Sequence, residues 1–507
     1  MSRPDYDLCV IGGGINGAGI ARDAAGRGLS VLLVEAGDLA SATSSASTKL
    51  IHGGLRYLEH YEFKLVRESL REREILLRIA PHIVRPLEFV LPHDETQRPA
   101  WLIRLGLFLY DHLAGHKHLK PSHGISFDDD VYGAPLQKKF TKGFLYSDCW
   151  VDDARLVTLN AVDARERGAD ISTYTACTSL ACDGQVWQVG LHDMLGGRNM
   201  SIKAAMVVNA AGPWVRGLLE ASGLDAPDVP KIRLVKGSHI IVPRKFDGEH
   251  AYILQQPDKR IVFAIPYEKN YTLIGTTDVD YGGDPSQAAI SPEEVDYLCN
   301  AYNNAFDYKI TAENVVWTYS GVRPLFDDGT GNASEVTRDY KIFAHRNVGA
   351  PLVSVFGGKL TTYRKLGEEV VDLLCQTSGR GGSGWTQGHN LPGGDVPDND
   401  FNLFLEQQEF KYPWISHTVL NRFARAYGTR MDVILHGMQS VGDLGKDLGG
   451  HIYECEIFYL VRHEFARTVE DVLWRRTKLG LRATPEAVRN IEWLLSSILR
   501  QMGQVHE

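Results

Sequence analysis

Residues 9–35, CVIGGGINGAGIARDAAGRGLSVLLVE, contain the pattern that decides the fold. A short apolar strand from Leu8 to Ile11 precedes a glycine-rich turn, and the small residues from Ala18 to Arg27 predict a helix after it. A second apolar strand, Val31 to Val34, ends at an acidic residue. This order of strand, turn, helix and strand is typical of the first βαβ unit of a Rossmann-like domain.

The glycine turn has the spacing GxGxxG, which predicts a dinucleotide-binding site. Gly12 permits the tight turn, Gly14 lets a pyrophosphate approach the backbone, and Gly17 lets the helix pack closely on the sheet. The helix N-terminus presents unpaired N–H groups and a partial positive charge to that pyrophosphate, and Asn16 belongs to the same turn. Glu35 lies where a carboxylate accepts hydrogen bonds from a ribose. The fingerprint alone leaves NAD and FAD open.

The chain has 507 residues, of which 44% are hydrophobic and 23% charged, and its formal net charge is −9. This length predicts two or three domains. The negative charge and the absence of a polybasic tail argue against nucleic acid as the main partner. The seven cysteines include no C-x-x-C pair, so neither structural zinc nor an iron–sulfur cluster is predicted, and their odd number fits a reducing compartment.

Further patterns divide the chain. Residues 62–79 predict a charged amphipathic helix, and 232–280 an antiparallel sheet. Residues 378–400, rich in Gly, Pro and Asp, predict a linker. Beyond it, 401–507 has a helical pattern, with an arginine-bearing helix near 463–482.

No second strand–GxGxxG–helix unit follows the first one. An enzyme that reduces a flavin with NAD(P)H would commonly carry two such units. A single unit near the start of the chain favours one tightly held FAD, whose electrons come from an organic substrate.

Several long motifs resemble those of the FAD-dependent, respiratory sn-glycerol-3-phosphate dehydrogenases of the D-amino-acid-oxidase-like flavoprotein superfamily. The resemblance implies oxidation of sn-glycerol 3-phosphate to dihydroxyacetone phosphate by hydride transfer to FAD. It also implies reoxidation by a membrane quinone in glycerol catabolism. The motifs are ATSSASTKLIHGGLRYLEHYEFKLVRE (42–68), YSDCWVDDARL (146–156), KGSHIIVP (236–243), IGTTDVDY (274–281), TYSGVRPLFDD (318–328) and SVFGGKLTTYRKL (354–366).

The expected fold class is α/β plus α. A Rossmann-like FAD-binding domain within residues 1–385 (about 1–80, 145–225 and 330–377) is interleaved with an antiparallel-sheet substrate domain (about 81–144 and 226–329). A C-terminal helical domain follows over 395–507.

The substrate phosphate calls for arginine, whose planar fork binds two oxygens at once. Arg323 is the first candidate, since Pro324 should stop a regular strand and leave it on a rigid loop edge. Arg56 and Tyr57 can reach the same pocket, and the resemblance implies phosphate binding at the positions of Arg56 and Arg323. Thr277 is expected to line the pocket, with Asp278 either beside it or structural.

Lys359, in FGGKLTTYR, is expected to stabilise negative charge on the reduced flavin or to hold substrate. Gly358 lets the backbone approach the ring, and Leu360 and Thr361 present the first helical N–H groups.

The proton acceptor is predicted to be His239, because a neutral imidazole suits proton transfer near pH 7. His52 is the alternative.

Other contacts to the cofactor are expected from loops. Ser44 and Ser45 can bond the pyrophosphate, while Lys49 and Leu50 continue toward the flavin. Gly212, in the small-residue turn from Asn209 to Pro213, lets the backbone pass close to FAD.

The reoxidant must reach the flavin from outside, as a membrane quinone or as molecular oxygen. The apolar stretch Trp101–Leu113, with His116, Lys117, His118 and Lys120 after it, fits an interfacial anchor or else a buried helix. Residues 467–482 are a second possible contact. With no spanning helix and no room for a secretory signal, we expect a cytoplasmic protein, peripherally bound to the inner face of the membrane.

Other interpretations remain open: an oxygen-dependent, peroxide-forming glycerol-3-phosphate oxidase, an amine or amino-acid oxidase, and a catalytically silent flavin-binding protein. A homodimer is equally open.

Overall fold

The computed structural model describes residues 3–95, 97–113, 119–127, 131–258, 260–327 and 339–504. The strands in this part of the chain are Tyr6–Ile11 (β1), Val31–Val34 (β2), Leu50–Ile51 (β3), Val84–His93 (β4), His123–Ser126 (β5), Lys142–Val151 (β6), Asp170–Ser172 (β7), Thr175–Cys182 (β8), Trp187–Asp193 (β9), Asn199–Asn209 (β10), Ile232–Pro243 (β11), Ala251–Gln255 (β12), Ile261–Tyr267 (β13), Tyr271–Gly275 (β14), Val279–Asp280 (β15), Trp317–Phe326 (β16), Tyr340–Ala344 (β17) and Leu352–Gly357 (β18).

The α-helices of the same part are Ile15–Gly26 (α1), Phe63–Ile79 (α2), Ala100–His112 (α3), Asp153–Glu166 (α4), Val215–Ala221 (α5), Pro292–Asn303 (α6), Tyr363–Ser378 (α7), Phe401–Lys411 (α8), His417–Tyr427 (α9), Met431–Ile434 (α10), Glu454–Glu464 (α11) and Pro485–Gln504 (α12).

The first sheet has the strand order β17-β18-β10-β1-β2-β7, and β9 and β8 extend it from β10. From β18 to β7 neighbouring strands are parallel. Alternate residues of β1 face opposite sides, as the period of a strand requires. Leu8 and Val10 pack under α1, α4 and α7, whereas Cys9 and Ile11 belong to the core around Trp187 and α5. The Rossmann-like arrangement is therefore confirmed.

The second sheet has the order β15-β11-β14-β13-β12-β4-β6-β3, with β16 on β11 and β5 on β6. Its described pairs are antiparallel except for β12 and β4. Helix α6 covers one face, where Leu298 and Tyr302 meet Ile240 and Ile274. Helix α2, predicted over 62–79, covers the other face with α3.

The two sheets alternate along the chain. β3 and most of β6 lie within the segments expected for the FAD-binding domain, yet both belong to the second sheet. The exact division of the chain into domains stays a prediction.

The C-terminal helices share a core of their own, which includes Phe423, Tyr427 and Leu460. The predicted helix near 463–482 is wrong: α11 ends at Glu464, because Phe465 adopts a left-handed backbone conformation with φ of 63°. Asp471 then accepts hydrogen bonds from the backbone of Arg467 and Thr468, and a short π-helical stretch, Asp471–Arg476, begins there.

The linker after α7 is packed on the first domain. The Trp385 indole N–H donates to Asp23 O at 3.0 Å, and the Arg22 guanidinium lies 5.0 Å from the Trp385 ring centroid. Within the described ranges, no helix has both the length and the apolar character that crossing a membrane requires.

Candidate active site

A cavity of about 650 Å³ extends from the glycine turn between β1 and α1 to the turn after β18. This volume lies in the range of small-molecule sites. Segments distant in the sequence line it together, because the carboxyl ends of parallel strands meet at one edge of the sheet. The predicted cofactor residues among its lining are Gly12, Gly14, Asn16, Glu35, Ser44, Gly212 and Gly358.

The glycine turn leaves no room for side chains at two of its positions. Gly12 has φ of 112°, and an ideal Cβ there would lie 2.4 Å from Ala210 O. At Gly17 a Cβ would lie 1.8 Å from Gly12 O, so this glycine permits close packing of α1 and does not itself line the cavity. Both observations match the roles that the spacing predicts.

The N-terminus of α1 faces the cavity at Gly14, whose backbone caps the helix without a side-chain hydrogen bond. Ser44 Oγ accepts from Ile15 N at 2.9 Å. Glu35 accepts from Gly13 N at 2.6 Å and from Gly37 N at 2.8 Å, while burial raises the pKa of its carboxyl. The donors of this helix end suit an anionic group.

The opposite end of the cavity is formed by the FGGK turn. Gly357 and Gly358 have φ of 78° and 106°, and Asn16 Nδ2 donates to Gly357 O at 3.1 Å. Lys359 precedes a 3-10 turn, Leu360–Thr362, that continues into α7. The FGGK turn therefore contacts the GxGxxG turn directly, through Asn16.

The FGGK turn also contacts the segment that holds His52 and Tyr57. Lys359 Nζ lies 3.9 Å from the Tyr57 ring centroid. Thr361 Oγ1 accepts from His52 N at 3.3 Å and lies 3.4 Å from His52 O. Arg56 belongs to the turn Leu55–His60, but its side chain lies outside the described part of the structure.

Arg323 lies inside strand β16, so the expected loop edge is wrong. Among the described strands, β16 pairs only with β11, and a proline is tolerated on such an edge strand because no ladder bond is lost. Arg323 Nη2 lies 2.9 Å from both Thr277 O and Asp278 Oδ1. Its neighbour Pro324 lines the cavity together with Gly357 and Gly358, so β16 passes beside the FGGK turn.

His239 lies in β11 and is 2% exposed. Its Nε2 is 3.0 Å from Thr48 Oγ1, and its Nδ1 has no hydrogen-bond partner among the described residues. Burial lowers the pKa of His239 well below its ordinary value, and the charges of Lys49 and Arg323 lower it further. The imidazole is therefore neutral, and one of its ring nitrogens carries a lone pair.

Comparison with known proteins agrees with this geometry. The model of the FAD dependent oxidoreductase family matches residues 7–364, and that of the C-terminal domain of alpha-glycerophosphate oxidase matches 385–504. The chain belongs to the FAD dependent oxidoreductase family. The family, fold class and FAD cofactor expected from the sequence are confirmed.

Relatives of this FAD dependent oxidoreductase match over nearly its whole length. A glycerol-3-phosphate dehydrogenase from Pseudomonas aeruginosa is 51% identical over 502 residues, 99% of this chain and 97% of that protein. A D-erythritol 1-phosphate dehydrogenase from Brucella abortus is 49% identical over 495 residues, 97% of this chain and 98% of that protein. The structure of the glycerol-3-phosphate dehydrogenase from Bacillus halodurans complexed with FAD has a TM-score of 0.76 at 29% identity, and the match covers 99% of this chain and 91% of that one.

The residues of this oxidoreductase fit FAD. The open end of α1 would hold the pyrophosphate, and the Glu35 carboxylate would hold a ribose. Asn16 lines the cavity, and its Oδ1 is buried without a hydrogen-bond partner among the described residues, which leaves an acceptor for the cofactor. The backbone of Gly358 lines the far end. In the same described part, no cluster of three or more metal-ligating side chains is found.

Other predicted site residues point elsewhere in this oxidoreductase. The Thr277 hydroxyl donates to Glu294 at 2.8 Å and accepts from Ser238 N at 3.0 Å, so only its carbonyl contacts Arg323. Lys49 Nζ lies 2.9 Å from each Asp153 oxygen. Leu50 pairs with Trp150 in β3, and the Ser45 hydroxyl lies 3.4 Å from Ala42 O. None of these residues lines the cavity, and neither do the predicted site residues His239, Arg323, Lys359, Leu360 and Thr361.

The sequence patterns missed two residues beside His239. Thr48 and Tyr319 both lie in motifs that carried the family resemblance, yet neither has a periodicity or spacing that marks it. The pairing of β11 with β16 brings Tyr319 to the imidazole, whereas Thr48 reaches it from the loop that precedes β3.

Proposed function

We propose that this chain oxidises sn-glycerol 3-phosphate to dihydroxyacetone phosphate as a quinone-linked dehydrogenase. Three residues beside the cofactor cavity carry the proposal. Lys359 follows Gly358 and Arg323 precedes Pro324, both of which line the cavity, and the charge of Arg323 acts on the buried, neutral imidazole of His239. The cations suit a phosphate and the imidazole suits a hydroxyl proton. The full-length likeness to glycerol-3-phosphate dehydrogenases supports the same substrate.

FAD, when bound, supplies the hydride acceptor for C2 of the substrate. Arg323 and Arg56 bind the phosphate, and Asp278 fixes the Arg323 fork from behind. Lys359 stabilises negative charge beside the turn that opens α7. His239 takes the proton of the C2 hydroxyl as the hydride leaves, so the alcohol becomes a ketone.

Anaerobic addition of glycerol 3-phosphate to the purified holoenzyme tests the proposal. We expect the flavin absorbance band to bleach with one equivalent of substrate per FAD. Bleaching by glycine or sarcosine, with none by glycerol 3-phosphate, would place the chain with the amine oxidases. A flavin that stays oxidised with all of these substrates would indicate a silent binding protein.

D-Erythritol 1-phosphate is a second candidate substrate. The Brucella abortus protein that carries its name is 49% identical and matches 97% of this chain, as close as the glycerol-3-phosphate dehydrogenases. Both substrates offer a terminal phosphate and a secondary alcohol, so the same cations and imidazole serve either one. The ratio of kcat/KM for the two phosphates decides between them.

The proposed electron acceptor is a quinone. The acceptor is tested by comparing a soluble quinone analogue with oxygen, after reduction by glycerol 3-phosphate. We expect fast reoxidation by the quinone and little peroxide. Stoichiometric peroxide, with oxygen as the better acceptor, would identify an oxidase instead.

We further propose that the chain docks on the cytoplasmic face of a membrane through α3. Its exposed positions Trp101, Leu105 and Phe108 recur at helical spacing and present one apolar face, while Leu107 and Tyr110 are buried on the other. Of the expected basic flank, His116, Lys117 and His118 lie outside the described residues. Lys120 pairs with Glu88 at 2.8 Å. A homodimer also stays a prediction, which mass measurement in detergent can test.

The alternative contact over 467–482 stays a prediction, but two of its arginines support it less than the sequence suggests. Arg475 and Arg476 lie in the π-helical stretch, and both pair with the buried carboxylate of Asp38. The Arg476 side chain is 0% exposed, so it cannot meet a lipid surface.

A further inference from the structure

We propose that Asp153, Lys49 and Lys478 are positioning residues for His239, and that the hydroxyl of Thr48 transmits their effect. The inference rests on the proposed function, in which His239 accepts the proton of the substrate alcohol. It assigns the C-terminal domain a part in the chemistry, because Lys478 belongs to that domain.

Thr48 bonds the imidazole at one ring nitrogen. A neutral imidazole has one N–H and one lone pair, on different ring nitrogens. We infer that the reactive tautomer is the one in which His239 Nε2–H donates to Thr48 Oγ1, 3.0 Å away, because it leaves the lone pair on Nδ1. Nδ1 is buried and has no hydrogen-bond partner among the described residues, so in this tautomer no described protein group occupies its lone pair.

Asp153 fixes the loop that carries Thr48. Its carboxylate accepts from Ser47 Oγ at 2.7 Å and from Lys49 Nζ at 2.9 Å, on either side of Thr48. Lys49 Nζ also donates to Ser45 O at 3.0 Å, and the Lys49 backbone is left-handed with φ of 60°. A loop held at both ends in this way gives Thr48 one orientation.

The same loop also holds Tyr319, which packs against the His239 ring. The Tyr319 ring stacks on His239, with 4.7 Å between ring centroids and 17° between planes. The Tyr319 hydroxyl donates to Ser47 O at 2.8 Å, and Lys49 Nζ lies 5.1 Å from the Tyr319 ring centroid. Movement of the loop would therefore change both contacts of His239.

Lys478 joins the C-terminal domain to this network. It is 5% exposed, and its Nζ lies 3.5 Å from Asp152 Oδ1 and 3.7 Å from Asp153 Oδ1. Two buried ammonium groups thus balance two neighbouring carboxylates. Beside Lys478, Trp474 stacks on Trp317 of β16, with 4.0 Å between ring centroids, so the domain meets the strand that carries Tyr319.

The first experiment changes only the hydroxyl. Thr48→Val keeps the volume of the side chain, and Thr48→Ser restores the hydroxyl. We expect Thr48→Val to slow anaerobic flavin reduction by glycerol 3-phosphate about 10- to 100-fold, with KM and FAD content unchanged, because the interaction acts in the transition state. Thr48→Ser should recover most of the rate.

Wild-type reduction rates in Thr48→Val, or an equal loss in Thr48→Val and Thr48→Ser, would overturn the inference. Failure of glycerol 3-phosphate to reduce the wild-type flavin would instead refute the proposed function, so the two failures are distinguishable.

The second experiment tests the C-terminal domain. Lys478→Met should slow flavin reduction, and Lys478→Arg should recover part of the rate. Arg430→Met is the matched control, since Arg430 pairs with Glu166 at 2.7 Å across the same domain boundary, away from the Thr48 loop. We expect wild-type reduction in the control. An equal loss in Lys478→Met and Arg430→Met would mean that Lys478 acts only as a docking contact. If Lys478→Met does not fold, the comparison of Thr48→Val with Thr48→Ser still tests the inference.

Discussion

Gly17 shows how one hydrogen atom in place of a methyl group permits cofactor binding. An ideal Cβ at Gly17 would lie 1.8 Å from Gly12 O, so alanine must push α1 away from the turn. Such overpacking costs about 1–3 kcal/mol, which converts to roughly a 5- to 150-fold loss of FAD affinity. We expect Gly17→Ala to be purified with little FAD, measured as flavin absorbance per protein.

The matched control is Gly106→Ala in α3, where a Cβ meets no atom within 4 Å. This variant should keep its FAD. Full FAD content in Gly17→Ala would show that the close approach is not required for cofactor binding.

Phosphate binding by Arg323 should depend on the planar shape of its guanidinium group as well as on its charge. One nitrogen contacts Asp278 and the Thr277 carbonyl, each at 2.9 Å, and a planar guanidinium has five donors in a fixed fork that matches a phosphate. Lysine has one ammonium for both tasks. We therefore expect Arg323→Lys to raise KM for glycerol 3-phosphate roughly 10- to 100-fold, measured by steady-state kinetics.

Arg233→Lys is the control for this prediction. Arg233 lies on the neighbouring strand and pairs with the exposed Asp280 at 2.5 and 2.6 Å. Its substitution should leave KM unchanged, and an unaltered KM in Arg323→Lys as well would remove Arg323 from the phosphate site.

At the scale of elements, α3 makes a prediction about membrane binding. Trp101 is 68% exposed on the apolar face, and burying a large apolar side chain is worth about 1.5–3 kcal/mol. We expect Trp101→Ser to weaken binding to vesicles of anionic phospholipid roughly 10- to 100-fold, measured by co-sedimentation. Flavin reduction in solution should keep its wild-type rate.

Trp493→Ser, on α12, removes an equally exposed tryptophan, 68% accessible, away from α3. It should bind vesicles as the wild type does. Equal binding by Trp101→Ser and the wild type would contradict the docking proposal.

The elements also show what the sequence could predict. The β1–α1–β2 unit, α2 and the FGGK turn follow from local spacing and periodicity, so they were predictable. The path of β16 through Pro324 was not, because an edge position is set by a partner strand about ninety residues away. The end of α11 at Phe465 depends on a left-handed residue that carries no glycine signal.

The residues of the candidate site also divide into those that the sequence predicts and those that it does not. The lining glycines, Glu35 and Asn16 follow from one contiguous motif. Thr48, Tyr319 and Asp153 come together only through sheet register and helix packing, which a single sequence does not display. The side chain of Thr277 was assigned to the pocket, but its hydroxyl serves a buried glutamate instead.

At the scale of the whole molecule, His82 makes stability depend on pH. It is buried beside the charges of Arg155 and Arg425, and burial, followed by those charges, lowers its pKa to about 3. Between that value and the ordinary one of about 6.5, the unfolded chain binds a proton that the folded chain does not. The stability that depends on neutral His82 is therefore fully present above pH 6.5. Below that value the free energy of unfolding falls by about 1.4 kcal/mol per pH unit.

We expect His82→Leu to flatten the acid side of the stability profile between about pH 6.5 and pH 3. Thermal midpoints of the holoenzyme across this range measure the effect. The control is His192→Leu, a partly exposed histidine bonded to Asn199 at 2.7 Å, which should leave the slope unchanged. A His82→Leu profile parallel to that of the wild type would contradict the assignment.

Buried charge pairs hold the C-terminal domain to the cofactor domain. Asp38, 0% exposed, accepts from Arg475 at 2.6 Å and from Arg476 at 2.8 Å, and Arg155 of α4 forms a two-pronged pair with Glu464 of α11. Removing one partner of such a pair leaves an unbalanced buried charge, which costs about 3–5 kcal/mol. We expect Asp38→Asn to lower the free energy of unfolding of the holoenzyme by this amount, measured by denaturant titration.

Asp280→Asn is the control for Asp38→Asn, because Asp280 also forms a two-pronged pair with an arginine but its side chain is 57% exposed. Its loss should cost at most about 1 kcal/mol. Asp38 immediately follows Gly37, which lines the cofactor cavity, so Asp38→Asn should also weaken FAD binding whereas Asp280→Asn should not. Equal stability losses, or full FAD affinity in Asp38→Asn, would mean that the two domains are held together without influencing the cofactor site. The expected pair of results would instead show that docking of the C-terminal domain helps to shape the loop that follows Glu35.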